Sequence, residues 1–95
     1  MNTIERIGTL NAGYKIFEAS EIDGLGYCIA SIETRYGKQY VTWEYNPAHD
    51  DDYFFGHYFI DYPPCSPIGD DAYRKAMRDY YRRINDAVKF RFENL

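Results

Sequence analysis

The hydrophobic period of this chain changes once. From Tyr14 to Ile60 the apolar residues fall in short runs at the two-residue spacing of strands, and from Tyr73 to Val88 they recur at helical spacing. Setting Tyr73 at zero and advancing 100° per residue gathers Tyr73, Ala76, Met77, Tyr80, Ile84, Ala87 and Val88 in one arc. Arg74, Lys75, Arg78, Arg82 and Lys89 fall on the opposite side. The pattern decays after Val88, where Arg91 reaches the apolar side, so the last residues are expected to fray or bend. Strands followed by one helix specify an α+β fold, an antiparallel sheet of four or five strands packed against one long C-terminal helix. A chain of 95 residues is expected to form a single domain, 1–95, with strands over about 14–60 and the helix over about 67–90.

Turn signals divide the strands. Asn11-Ala12-Gly13 and Asp23-Gly24-Leu25-Gly26 bracket a strand from Tyr14 to Ser20. Tyr27 to Thr34 alternates, with Cys28, Ala30 and Ile32 on one face and Tyr27, Ile29, Ser31 and Glu33 on the other. Tyr36-Gly37-Lys38 connects it to Gln39–Tyr45, which sets Val41, Trp43 and Tyr45 against Tyr40, Thr42 and Glu44. Asn46-Pro47 ends that strand. Tyr53 to Ile60 is apolar on both faces apart from Gly56 and His57, which predicts a central strand. Tyr62 to Pro67 is a rigid crossing, with the helix capped at Ser66 before Pro67 or beginning nearer Asp70. Ile4, Ile7 and Leu10 suit a helical turn as well as an irregular strand.

One helix covers one face of a sheet, so the second face is wet, covered by the amino-terminal segment, or used. Tyr14, Tyr27, Ile29 and Tyr40 are candidates for it, with Glu18, Glu33 and Glu44 beside them. Eleven Tyr, six Phe and one Trp exceed what one small core requires, and tyrosine suits half-wet interfaces. Charge is divided too. Residues 1–66 hold four basic residues against ten acids, a net −6, whereas residues 67–95 hold seven against five, a net +2.

Catalytic and metal-binding patterns do not emerge. His49 with Asp50, Asp51 and Asp52 reads as a solvated acidic turn, because adjacent residues cannot all converge on one ion, and His57 reads as a hydrogen-bonded sheet histidine. Cys28 and Cys65 have neither zinc nor redox spacing, and no Gly-rich loop leads into a helix. The expectation is a non-enzymatic protein without metal or cofactor. No leader or apolar span is visible, so the expected location is the cytoplasm, away from membranes.

Tyr40-Val41-Thr42-Trp43-Glu44-Tyr45, the acidic loop and Tyr53-Phe54-Phe55-Gly56-His57-Tyr58-Phe59 together resemble a segment of small accessory proteins of bacterial conjugative elements and phages. The resemblance covers about 20 of the 95 residues. It implies a mobile-element accessory role, a class that includes anti-restriction and anti-CRISPR inhibitors of host defence enzymes. The expected function is therefore inhibition of a host nucleic-acid-processing or defence complex through protein–protein contact. The candidate surface is Glu33, Tyr40, Glu44, Asp50, Asp51, Asp52 and Tyr53. The alternative is a nucleic-acid-binding accessory factor using Arg74, Lys75, Arg78, Arg82 and Lys89. A sequence pI near 5.0 disfavours direct nucleic-acid binding, and a homodimer is compatible with either reading.

Overall fold

The computed structural model of the chain describes residues 2–35, 37–60 and 71–93. A short helix α1 (Thr3–Arg6) precedes strands β1 (Leu10–Asn11), β2 (Tyr14–Ile22), β3 (Leu25–Thr34), β4 (Gly37–Tyr45) and β5 (Tyr53–Ile60), and helix α2 (Asp71–Glu93) follows. The strands form one antiparallel sheet in the order β1-β2-β3-β4-β5, so each pairs with its neighbour in sequence. Asp23 and Gly24 sit at φ of 53° and 82° between the paired Ile22 and Leu25. That is the left-handed two-residue turn whose twist matches the strands it joins.

The expected alternation in β3 and β4 holds, and it builds two cores on the two faces of the sheet. Tyr27, Ile29 and Tyr40 pack against Ala72, Ala76 and Tyr80 of α2. On the other face Cys28 and Ala30 of β3 lie with Val41, Trp43 and Tyr45 of β4 and with Ile16 of β2. The small residues on β3 make room for the large ones on β4. At Gly26, paired with Tyr45, an added Cβ would collide with the Tyr45 ring. This face closes by curling: Tyr14 of β2 brings its ring 5.9 Å from Tyr58 of β5, and Trp43 meets both edge-on. Burial pushes the Cys28 thiol up to about 12.

Several expectations are corrected. Helix α2 covers the face that carries Tyr27, Ile29 and Tyr40, so these residues do not form an open surface, and Tyr14 lies on the opposite face. The cause is a better fit: Ala72 and Ala76 let the helix approach closely over Tyr27 and Tyr40, whereas the Trp43 face is filled by its own rings. β5 is an edge strand rather than a central one. Its two apolar faces are used separately, Phe59 under α2 and Tyr53 and Tyr58 against Trp43. α2 does not fray after Val88 but continues to Glu93, where Lys89 and Glu93 approach to 3.9 Å. Ile4, Ile7 and Leu10 are all exposed, so α1 is held by something other than its apolar residues. The crossing from Tyr62 to Pro67, Cys65, the Ser66 and Asp70 helix starts, and Tyr36 of the β3–β4 turn lie outside the described residues.

Candidate functional site

Arg6 explains α1. Asn2 and Glu5 form a reciprocal capping box that fixes this single turn, and Arg6 at its end is turned fully inward. Its guanidinium lies 4.2 Å from the centre of the Tyr45 ring and 5.5 Å from that of Tyr53. Nη1 donates to the Asp50 carbonyl at 3.2 Å and the Tyr53 hydroxyl at 2.9 Å. Nη2 donates to the carbonyls of Asn46 at 3.3 Å and His49 at 3.0 Å. One buried cation thus grips the β4–β5 loop at three backbone oxygens. The loop also closes on itself: Asn46 N–H donates to the Asp52 carbonyl and its side chain accepts from Ala48 N–H. Arg6 binds the loop through backbone carbonyls, and the residues Asp50, Asp51 and Asp52 are exposed on this braced support.

A second polar centre ties α2 to the sheet. Asp79 is nearly fully buried, and its Oδ2 accepts from Thr42 Oγ1 at 2.6 Å, His57 Nδ1 at 3.0 Å and Arg83 Nε at 3.1 Å. Oδ1 accepts from Arg82 Nη2 at 2.7 Å. Burial opposes the charge of this carboxyl, but the hydrogen bonds from Thr42, His57 and Arg83 outweigh it and hold the group down to about 2. An ionised carboxylate only accepts, so His57 Nδ1 is the donor in this contact. Arg83 continues the chain, donating Nη2 to the Phe55 carbonyl and placing Nη1 3.6 Å from Glu44. Phe55 has φ of 52° in a bulge opposite Trp43, between the register positions Thr42 and Glu44. The bulge's carbonyl is the one that Arg83 holds.

The predicted surface residues are therefore dispersed. Tyr40 is buried, its ring 5.4 Å from that of Tyr73, and Glu44 is turned toward Arg83 on the helix side. Glu33 lies at the far end of β3, exposed beside Lys38. Tyr53 is half-buried and serves the Arg6 clasp, so it stands at the base of the acidic loop. The structure brings together Tyr53, Asp50, Asp51 and Asp52, and separates them from Glu33, Tyr40 and Glu44. On α2, Arg74, Lys75 and Arg78 are exposed, Arg82 is paired with Asp79, and Lys89 with Glu93.

Arg6, Asp79 and Arg83 escaped the sequence reading. Arg83 falls about 20° beyond Ala76 on a helical projection, at the border of the apolar arc, and Asp79 lies four residues before it. An oppositely charged pair at that spacing along the border of an apolar stripe is the signal that marks them. Arg6 has no such signal, since its partners are carbonyls some 40 residues away.

Beside the second half of α2 an open groove of about 400 Å³ runs over Leu25 and Tyr27 to Phe90. Among the described residues its one cation, Arg83, is engaged by Asp79 and Glu44, which leaves Asp23 and Asp86 in excess at its rim. Among the described residues no three His, Cys, Asp or Glu side chains gather for a metal ion, and no helix is long and apolar enough to cross a membrane. The chain matches no protein-family model, no curated protein and no solved structure.

Proposed function

We propose that the protein is a non-enzymatic binding protein that covers a cationic surface of a protein partner, with Asp50, Asp51 and Asp52 as its principal contact. The observation that carries this reading is the Arg6 clasp. Three contiguous carboxylates on a loose loop would lose ordering entropy on binding, whereas a loop gripped at the carbonyls of Asn46, His49 and Asp50 is ordered beforehand. The surplus of carboxylates at the groove rim has the same sign. A cationic surface of this kind is what a nucleic-acid-binding enzyme offers, and carboxylates compete for it by the electrostatics that hold phosphates. With the resemblance of residues 40–59, the specific proposal is a cytoplasmic, mobile-element-encoded inhibitor of a host nucleic-acid-processing or defence complex, of the anti-CRISPR kind.

The test is comparative capture from bacterial cytosol on immobilised protein, using the native chain and the Asp50→Asn/Asp51→Asn/Asp52→Asn variant. The native chain is expected to retain nucleic-acid-binding proteins that added salt or duplex DNA releases, and the variant is expected to lose them. Retention of the same proteins by both chains sinks the reading.

The exposed trio Arg74, Lys75 and Arg78 favours a second reading, a nucleic-acid-binding accessory factor. Arg82 and Lys89 contribute little to it, being paired with Asp79 and Glu93. Salt-sensitive retardation of duplex DNA or RNA, abolished by Arg74→Glu/Lys75→Glu/Arg78→Glu, would establish that reading.

A further inference from the structure

We propose that β5 pairs antiparallel with β5 of a second copy of this chain across a two-fold axis, joining the two sheets into one. Three observations converge on this edge. β5 is outermost in the sheet and eight residues long, and among the described residues β4 is its only strand neighbour. Its outer backbone groups therefore present a template for another strand. Of the devices that blunt an edge, β5 carries the Phe55 bulge, but Tyr53–Ile60 contains no Lys, Arg, Asp, Glu or Pro. Phe55 (69%), Tyr58 (54%) and Ile60 (41%) are instead exposed along it. The one irregularity, the Phe55 bulge, is tied back to α2 by Arg83.

Charge selects the occupant and the direction. The first turns of α2 lie near the end of β5, because Tyr73 packs on Tyr40 and Tyr40 is the register partner of Phe59. Asp79 reaches His57 from the flank of α2 that faces β5, and the helical projection puts Lys75 about 40° from Asp79 on that flank, with Arg78 about 60° further round toward solvent. The acidic loop adjoins the other end of the strand, Asp52 preceding Tyr53. Antiparallel pairing sets the start of one β5 beside the end of the other. It therefore brings Asp51 and Asp52 of each copy toward Lys75 and Arg78 of the other, twice by symmetry. Parallel pairing would oppose acid to acid and base to base. The division of the sequence into an acidic part and a basic part becomes self-complementary in this arrangement. Because the same carboxylates serve the partner contact proposed above, self-pairing and partner binding exclude one another, while neither depends on the other.

Sedimentation equilibrium over the micromolar range tests the proposal, at low and high salt. The native chain is expected to form a dimer that weakens as salt rises. Ile60→Lys, on the exposed edge, should leave the far-ultraviolet circular dichroism unchanged and yield a monomer. Lys75→Glu/Arg78→Glu should raise the dimer dissociation constant by at least about tenfold, through loss of four exposed charge contacts. Adding Asp51→Lys/Asp52→Lys to that variant should restore association, a rescue that a folding defect does not give. A native chain that stays monomeric throughout overturns the proposal. So does a dimer that ignores both Ile60→Lys and the charge reversal. Loss of self-association with retained capture by the loop would remove this inference and leave the functional reading standing.

Discussion

Thr42 and Asp79 join the centre of β4 to the centre of α2 through a hydrogen bond of 2.6 Å, both groups withdrawn from water. This contact, together with that between the Tyr80 hydroxyl and Ser20 Oγ at 2.7 Å, makes the helix–sheet interface directional, since the packing of Ala72 and Ala76 alone would tolerate sliding. Asp79→Asn is expected to lower stability by about 3 kcal/mol, because Arg83 then keeps its charge in a buried place without its nearest counter-charge. Thr42→Val, which removes one donor to an ionised group, should cost about 2 kcal/mol. Urea unfolding of both variants checks the order. A smaller loss for Asp79→Asn than for Thr42→Val would contradict an electrostatic role for the aspartate.

The depressed Asp79 carboxyl also sets a pH window. Its folded value of about 2 lies below the ordinary 3.8, so the native state binds the proton less readily than the unfolded chain. The stabilisation is complete above about pH 4 and disappears as pH falls through about 2, a difference of about 2 kcal/mol. Thermal melts of the native chain should decline across that window. Melts of Asp79→Asn should decline less there, and equal slopes would show that other carboxyls govern acid unfolding.

Removal of the Arg6 guanidinium should loosen the acidic loop before it unfolds the sheet. Arg6→Met is expected to cost about 3 kcal/mol globally, since three carbonyls and the Tyr53 hydroxyl lose their buried donor. Amide exchange at residues 48–52 should accelerate more than exchange in β3. Uniform acceleration through the chain would mean that the clasp supports the whole fold and not the loop in particular.

Gly26→Ala drives a methyl group into the Tyr45 ring, and the ring cannot leave without giving up its hydroxyl contact with Thr3. A loss of about 2 kcal/mol is expected. Tyr45→Leu in the same chain should recover part of it, and a double-mutant cycle by urea unfolding measures the coupling. Additive losses would place the cost at Gly26 in the backbone instead of the ring.

The elements were legible in the sequence because their signals are local. Alternation in β3 and β4, the Asp23-Gly24 turn and the helical period of α2 need only neighbouring residues to be read. Which face of the sheet the helix would choose was not local. It depends on Ala72 and Ala76 meeting Tyr27 and Tyr40, more than 30 residues away, and on the rings of Tyr14 and Tyr58 meeting across the opposite face. Tyr40 and Glu44 were misplaced for that reason, while the acidic loop stands exposed as its composition suggests. β5 reads as central because apolar residues on both faces ordinarily mean burial from both sides. Here they serve two cores and an open edge.

The strictly sequential strand order has a kinetic consequence. Every strand pairs with the one synthesised just before it, and the first two hairpins turn in two residues, so most of the sheet closes through short loops that form fast. The Arg6 clasp is of another kind, joining residue 6 to residues 46–53 across the whole meander. It can assemble only after β4 and β5 have met, and it closes a loop of 40 or more residues. The acidic loop is therefore among the last parts of the molecule to be ordered, and under heat or pulling force it is the first to be released.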